Sequence, residues 1–164
     1  IISLPTPARF AAFASGSIDI AMINEPFVTK FCEAGVARVL THAENVAPGF
    51  QQAQLFYGTN LLEKDPETGK AFMTAYLKAV RQYNQGKTPR NVAILAEHTT
   101  FDEDLLRRSC WPTIRSDGRI SVESVTAYQE WFHGKGLIDS VIPPSLFWDP
   151  RFIEHADRAL GSSR

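Results

Sequence analysis

The chain has 164 residues, 44% of them hydrophobic, and a formal net charge of -1 at pH 7. That length suits one domain or slightly more, and the apolar fraction is enough for a sizeable core. Basic residues are interspersed with acidic ones and form no basic patch, which argues against nucleic acid as a partner. No stretch approaches the roughly 20 apolar residues that a membrane-spanning helix requires, and no signal-peptide pattern is present.

Strand and helix patterns alternate through the first 40 residues. Short apolar runs predict strands, and turn residues followed by apolar residues at helical spacing predict helices. A β-α-β-α-β order with short turns predicts an α/β fold with parallel strands and right-handed crossovers. The five predicted elements are a strand Ile1–Leu4, a helix beginning at Thr6-Pro7, a strand Ile18–Ile23, a helix Pro26–Ala34 and a strand Val36–Leu40.

Polar side chains stand where the first two of these strands end. Asn24 and Glu25 follow the second strand, and Thr6 follows the first, each beside a helix start. Because parallel strands end at one edge of a sheet, we expect these residues to share a ligand-binding rim. Structural roles are the alternative: Glu25 stabilises its own helix, Asn24 makes a turn, and Thr6 is an N-cap with Pro7 at the first helical position.

The pattern lapses between residues 41 and 52, which marks a candidate inter-domain crossing, and the run 53–58 then reads as a further strand. Within that run Tyr57 is either a core residue or a platform for a ligand. Asp65-Pro66 begins the longest predicted helix. Its predicted inward stripe is Phe72, Tyr76, Ala79, Val80 and Tyr83, and later helices begin near residues 91, 102, 121 and 150.

Several kinds of site are missing from the sequence. There is no phosphate-binding glycine loop, no pair of cysteines at zinc spacing and no shared arrangement of the four histidines, so we expect neither a metal nor a cofactor. The two cysteines, Cys32 and Cys110, each lie in an apolar stretch with a helical pattern and are interpreted as buried free thiols. A disulfide between them has no support from their spacing.

Several motifs together resemble a known family. The run Ala11–Ala21, with Ser15-Gly16 and Ile18-Asp19, followed by Asn24-Glu25-Pro26, resembles a signature of type II periplasmic solute-binding proteins. The most similar subgroup takes up nitrate, sulfonates, taurine or the pyrimidine precursor of thiamine. Further matching pieces are Leu61–Pro66, Asp117–Ile120, Tyr128–Phe132 and Gly136–Ile138.

The resemblance implies two α/β lobes that close on a ligand, with this chain as a C-terminal fragment. Residues 1–50 would form most of the second lobe, and residues 51–164 would supply the crossover strand and the helical return to the first lobe, whose N-terminal part is absent. The implied function is capture of a small nitrogen- or sulfur-containing molecule for an ABC transporter permease. Asn24 and Glu25 match residues at the family's cleft.

The resemblance also implies a periplasmic or extracellular, membrane-associated location, and a binding role without catalysis. A thiamine-pyrimidine precursor is the favoured ligand, because a carboxylate replaces the basic residues that nitrate or sulfonate would favour. The candidate ligand-binding residues are Asn24, Glu25, Thr6 and Tyr57. Two alternatives are a pyrimidine-forming enzyme on the same fold, whose cysteine-rich iron motif does not occur here, and the effector-sensing domain of a transcription regulator.

Overall fold

The computed structural model describes residues 3–161, and every regular element in that range is helical. The α-helices are α1 (Thr6–Ala14), α2 (Phe27–Glu33), α3 (Ala43–Val46), α4 (Pro66–Tyr83), α5 (Pro89–His98), α6 (Glu103–Arg108), α7 (Val122–Gly134), α8 (Pro144–Phe147) and α9 (Arg151–Leu160), and a π-helical turn, Asn60–Lys64, precedes α4.

The predicted α/β fold, a periplasmic-binding-protein type II lobe with a parallel-rich sheet, is wrong for the described residues. The runs 18–23, 36–40 and 53–58 are irregular, and the run Ile1–Leu4 begins outside the described range. Apolar alternation fits a strand only when a second strand satisfies its main chain. Within the described residues the main chain of 18–23 makes one hydrogen bond, at the carbonyl of Met22, and Ile20 is 74% exposed.

The chain folds as two compact units. The first unit contains described residues 3–42 with Gln85–Thr113, and the second contains Ala43–Asn84 with residues 114–161. The chain therefore passes between the units three times. The first passage lies within the 41–52 stretch in which the sequence pattern lapses, while the assignment of lobes stays a prediction.

One phenylalanine organises the start of the first unit. Phe31 on α2 is 2% exposed, and the rings of Phe10 and Phe13 on α1 approach it edge-on, with centroids 5.0 and 6.1 Å away. Phe27 approaches from its own helix at 6.5 Å. Edge-to-face aromatic pairs add specific geometry to the burial of apolar area, so this cluster fixes α1 against α2.

Side-chain caps begin the helices much as the sequence predicts. Asp65 accepts a hydrogen bond from the Thr68 amide at 3.1 Å and caps α4. Asp102 and Ser121 cap α6 and α7 in the same way. Each cap supplies an acceptor for a first-turn N–H that has no partner within its helix. These three predicted helix starts are confirmed.

The second unit has its core where α4 packs on α9. Leu77, Ile153 and Ala156 are at most 1% exposed and form one cluster. The predicted α4 stripe is partly wrong, because Phe72 is 46% exposed whereas Leu77 is fully buried. The buried face runs through Gly69, Leu77 and Val80, so Val80 of the predicted stripe is buried as expected, while Leu77 is buried in place of its neighbour Tyr76.

The prediction that both cysteines are buried is wrong. Cys32 and Cys110 are free thiols with exposed side chains. Cys32 follows the buried Phe31, and consecutive helical residues point about 100° apart, so the cysteine faces outward. Cys110 follows Ser109, which is 1% exposed and occupies the interior position at the end of α6.

Alanine substitutions on α4 will distinguish the predicted apolar stripe from the observed buried face. We expect Leu77→Ala to lower the free energy of unfolding by about 2–5 kcal/mol because it leaves a cavity against α9. Phe72→Ala should cost only about 1 kcal/mol, mainly the edge-on contact with Tyr57. Urea denaturation followed by circular dichroism measures both, and an equal loss in the two variants would contradict the observed core.

Candidate functional site

The start of α1 differs from the predicted one. The helix begins at Thr6 itself, Pro5 is the N-cap, and no side chain caps the helix. The prediction of Thr6 as the N-cap is therefore wrong, since its main chain already lies in the helix. Its side chain is half-buried, and its hydroxyl makes no hydrogen bond within residues 3–161. A donor and acceptor group is thus left available at this helix end.

The Asn24-Glu25 turn leads into α2. Asn24 is exposed, and its carbonyl accepts a hydrogen bond from the Phe27 amide at 3.1 Å. The half-buried carboxylate of Glu25 accepts from the Thr29 amide at 3.0 Å and from the Thr29 hydroxyl at 2.9 Å. Glu25 therefore stabilises the first turn of α2, as the structural alternative expected. An ionised carboxylate has about four acceptor sites, so it retains capacity for a ligand.

Arg9 connects these two helix starts and was not recognised in the sequence. Its Nε donates to the carbonyl of Leu4 at 2.7 Å, and its Nη1 donates to the carbonyl of Met22 at 2.8 Å. Thr6 lies two residues beyond Leu4, and Asn24 lies two residues beyond Met22. One guanidinium thus brings the chain before α1 and the chain before α2 to one place.

A signal for Arg9 is present in the sequence. It is the single charged residue in α1, whose other members are small, apolar or Thr6. A lone guanidinium in such a helix needs acceptors, because a desolvated charge without hydrogen bonds is costly. Two of its five N–H donors are used by the carbonyls described above. The region therefore combines a carboxylate, an amide, a hydroxyl and a cation, which suits a small polar ligand.

Tyr57 belongs to the second unit, where it has a structural environment. Its hydroxyl donates to the carbonyl of Gly69 at 2.7 Å. Its ring meets those of Phe72 and Phe152 edge-on, with centroids 5.9 and 4.9 Å away. Burial raises the pKa of the Tyr57 phenol. These contacts favour the core interpretation over the ligand-platform one.

Comparison with known proteins identifies no family. No family model matches the chain, and neither characterised proteins nor solved structures give a match. In the described part of the chain, no three His, Cys, Asp or Glu side chains could together hold a metal ion. None of the helices in residues 3–161 is both long enough and apolar enough to cross a membrane.

Removing the Glu25 carboxylate will measure how much it stabilises α2. We expect Glu25→Ala to lower the free energy of unfolding by about 1 kcal/mol, because the Thr29 amide loses its acceptor. Thr29→Val should cost less, since the amide contact remains. Glu97→Ala on α5 is the control, because Glu97 has an exposed side chain and no polar partner within residues 3–161. Denaturation that leaves Glu25→Ala unchanged would refute the capping role.

The half-buried phenol of Tyr57 predicts a loss of stability at high pH. Because the pKa of the phenol is higher in the folded state than in the unfolded state, folding favours the protonated phenol. The contribution of this phenol to stability is therefore complete below the ordinary tyrosine pKa near 10. The contribution is lost as the pH rises through the folded-state value. Tyr83 has a pKa raised by the same cause, so Tyr57→Phe should reduce the alkaline slope without removing it. Thermal melts at increasing pH measure this, and an unchanged slope would contradict it.

Proposed function

We propose that this chain is part of a solute-binding protein that delivers a small nitrogen- or sulfur-containing organic molecule to an ABC transporter permease. The observation that carries the proposal is the pair of Arg9 hydrogen bonds, to Leu4 at 2.7 Å and to Met22 at 2.8 Å. These bonds gather the helix starts that bear Thr6 and Asn24-Glu25. The role is binding without catalysis, at the periplasmic or extracellular side of a membrane.

The chemistry of these side chains favours a ligand that carries an amine. The remaining acceptor sites of the Glu25 carboxylate can receive N–H groups, and hydrogen bonds to a charged partner are stronger than neutral ones. The exposed Asn24 amide can both donate and accept, so it would orient the ligand. A thiamine-pyrimidine precursor, which bears an amino group on a ring with acceptor nitrogens, is the favoured class.

Two further observations support the proposal. The motifs quoted above resemble those of solute-binding proteins along most of the chain. In addition, the chain alternates between two compact units, passing from one to the other after His42, Asn84 and Thr113. Periplasmic binding proteins are likewise built from two bodies. Every regular element in residues 3–161 is helical, so the proposal rests on the side chains and not on a sheet.

Calorimetry on the 164-residue chain with aminopyrimidines, taurine and nitrate will test the ligand class. We expect an aminopyrimidine to bind and Glu25→Gln to weaken it about tenfold, the usual effect of losing a charged acceptor. Glutamine keeps an oxygen for the Thr29 amide, so this variant separates binding from capping. Glu97→Gln, which removes a carboxylate elsewhere in the first unit, should change nothing.

The possible outcomes test the ligand class and the proposed function separately. Tight taurine binding without any aminopyrimidine binding would overturn the ligand class and leave solute capture standing. No heat of binding with any member of the panel would overturn the proposed function. An equal affinity in wild type and Glu25→Gln would remove Glu25 from the site.

A further inference from the structure

The second unit contains a cavity whose lining includes none of the candidate ligand-binding residues Thr6, Asn24, Glu25 and Tyr57. Its volume is about 170 Å³, and it is partly open to solvent. Tyr76 on α4, Trp148 and Asp149 before α9, and Gln54 form part of its wall. Trp148 also packs against the Leu77–Ile153–Ala156 core cluster, so one wall of the cavity is anchored to the best-packed part of this unit.

The turn beside the cavity is held rigidly. Gly118 lines the cavity, and its φ of +65° lies in the left-handed region that glycine adopts without strain. A Cβ at this position would lie 2.7 Å from Ile153 Cδ1 and 3.1 Å from Leu77 Cδ1. The turn therefore approaches the core as closely as a glycine allows. Such packing keeps the cavity preformed, which lowers the cost of binding.

Two aromatic side chains of the cavity have polar atoms without partners. Within residues 3–161 the Tyr76 hydroxyl and the Trp148 indole N–H make no hydrogen bond, and neither atom is buried without a partner. Both atoms are therefore accessible. By contrast, the Tyr57 hydroxyl donates to Gly69 at 2.7 Å. Half-buried aromatic residues usually find a partner for the polar end, so these two groups are free for a ligand.

The charge at the cavity is balanced. Both carboxylate oxygens of Asp149 accept hydrogen bonds from the Arg151 guanidinium, at 2.6 to 3.0 Å. The Arg151 amide adds a bond at 3.0 Å. These bonds lower the pKa of Asp149, so the carboxyl stays ionised and the pair stays neutral overall. Asp149 is the one charged residue in the cavity lining, and it is already paired, so a charged ligand would find no unpaired opposite charge there.

We propose that this cavity binds an uncharged, single-ring nitrogen heteroaromatic molecule. An apolar cavity of about 150 Å³ holds one benzene molecule, so 170 Å³ is the size for one ring. The ring nitrogen accepts from the Trp148 indole N–H, which can only donate. The Gln54 amide, whose nitrogen donates to the Gln51 carbonyl at 3.0 Å, offers its oxygen to a ligand N–H. This site is separate from the Glu25 site of the first unit.

Nitrogen-15 NMR of the 164-residue chain will test the site with nicotinamide as the probe. Benzamide, which lacks the ring nitrogen, is the matched control ligand, and benzylamine and benzoate are the charged ones. We expect millimolar nicotinamide to shift the Trp148 indole resonance, which Trp148→Phe identifies by its loss. Benzamide should bind about tenfold more weakly, because one hydrogen bond is missing.

Variants extend the test beyond a single tryptophan. Tyr76→Phe should weaken nicotinamide binding several-fold, whereas Trp131→Phe on the exposed face of α7 should not. Asp149→Asn leaves the Arg151 guanidinium without its carboxylate partner, so benzoate should bind this variant more tightly than wild type. Glu25→Gln should leave nicotinamide binding unchanged, which separates this site from the proposed function.

Three results would overturn the proposal. The first is the absence of any shift in the Trp148 resonance with nicotinamide. The second is equal binding of benzamide and nicotinamide, which would exclude recognition of the ring nitrogen. The third is preferential binding of benzylamine, which would show that the Asp149 carboxylate acts as a free charge. The first-unit site is tested separately. If Glu25→Gln weakens aminopyrimidine binding, that site is supported whichever of these three results is found.

Discussion

The packing of α4 on α9 is the constraint on which the second unit depends. Leu77 and Ile153 occupy the centre of that contact, each at most 1% exposed. Gly69 is required where the helices approach, because a Cβ there would lie 2.6 Å from Phe152 Cε1. The same close approach leaves the Gly69 carbonyl within 2.7 Å of the Tyr57 hydroxyl. The environment of a predicted ligand residue is thus set by helix packing.

The first unit depends on a different combination of forces. Apolar packing around Phe31 holds α1 against α2, while the Arg9 guanidinium holds the two preceding chain segments through their carbonyls. Packing sets the distance between helices without fixing the turns, because it is not directional. Hydrogen bonds to main-chain carbonyls are directional, so Arg9 supplies the positioning that packing lacks.

The sequence was informative where structure depends on neighbours along the chain. Helix starts were predicted at Asp65, Asp102 and Ser121 because a cap and its partner lie three residues apart. The predicted sheet is wrong because a strand needs a partner strand elsewhere in the chain, and the apolar pattern of one segment does not identify that partner. Arg9 and Leu77 were missed for a related reason: the acceptors of Arg9 and the packing partner of Leu77 lie on other segments. The sequence therefore indicated residues of the candidate site, but it did not predict how they are arranged.

The two interpretations of Glu25 describe one arrangement. Its carboxylate is held by the Thr29 amide and hydroxyl at 3.0 and 2.9 Å, and this restraint removes rotamer freedom before any ligand arrives. A group fixed in advance loses less entropy on binding than a mobile one. The capping bonds use some of the acceptor sites of the carboxylate. The remaining sites keep a fixed orientation, because the same bonds hold the carboxylate in place. Stabilising α2 is therefore the means by which Glu25 would be oriented for a ligand amine.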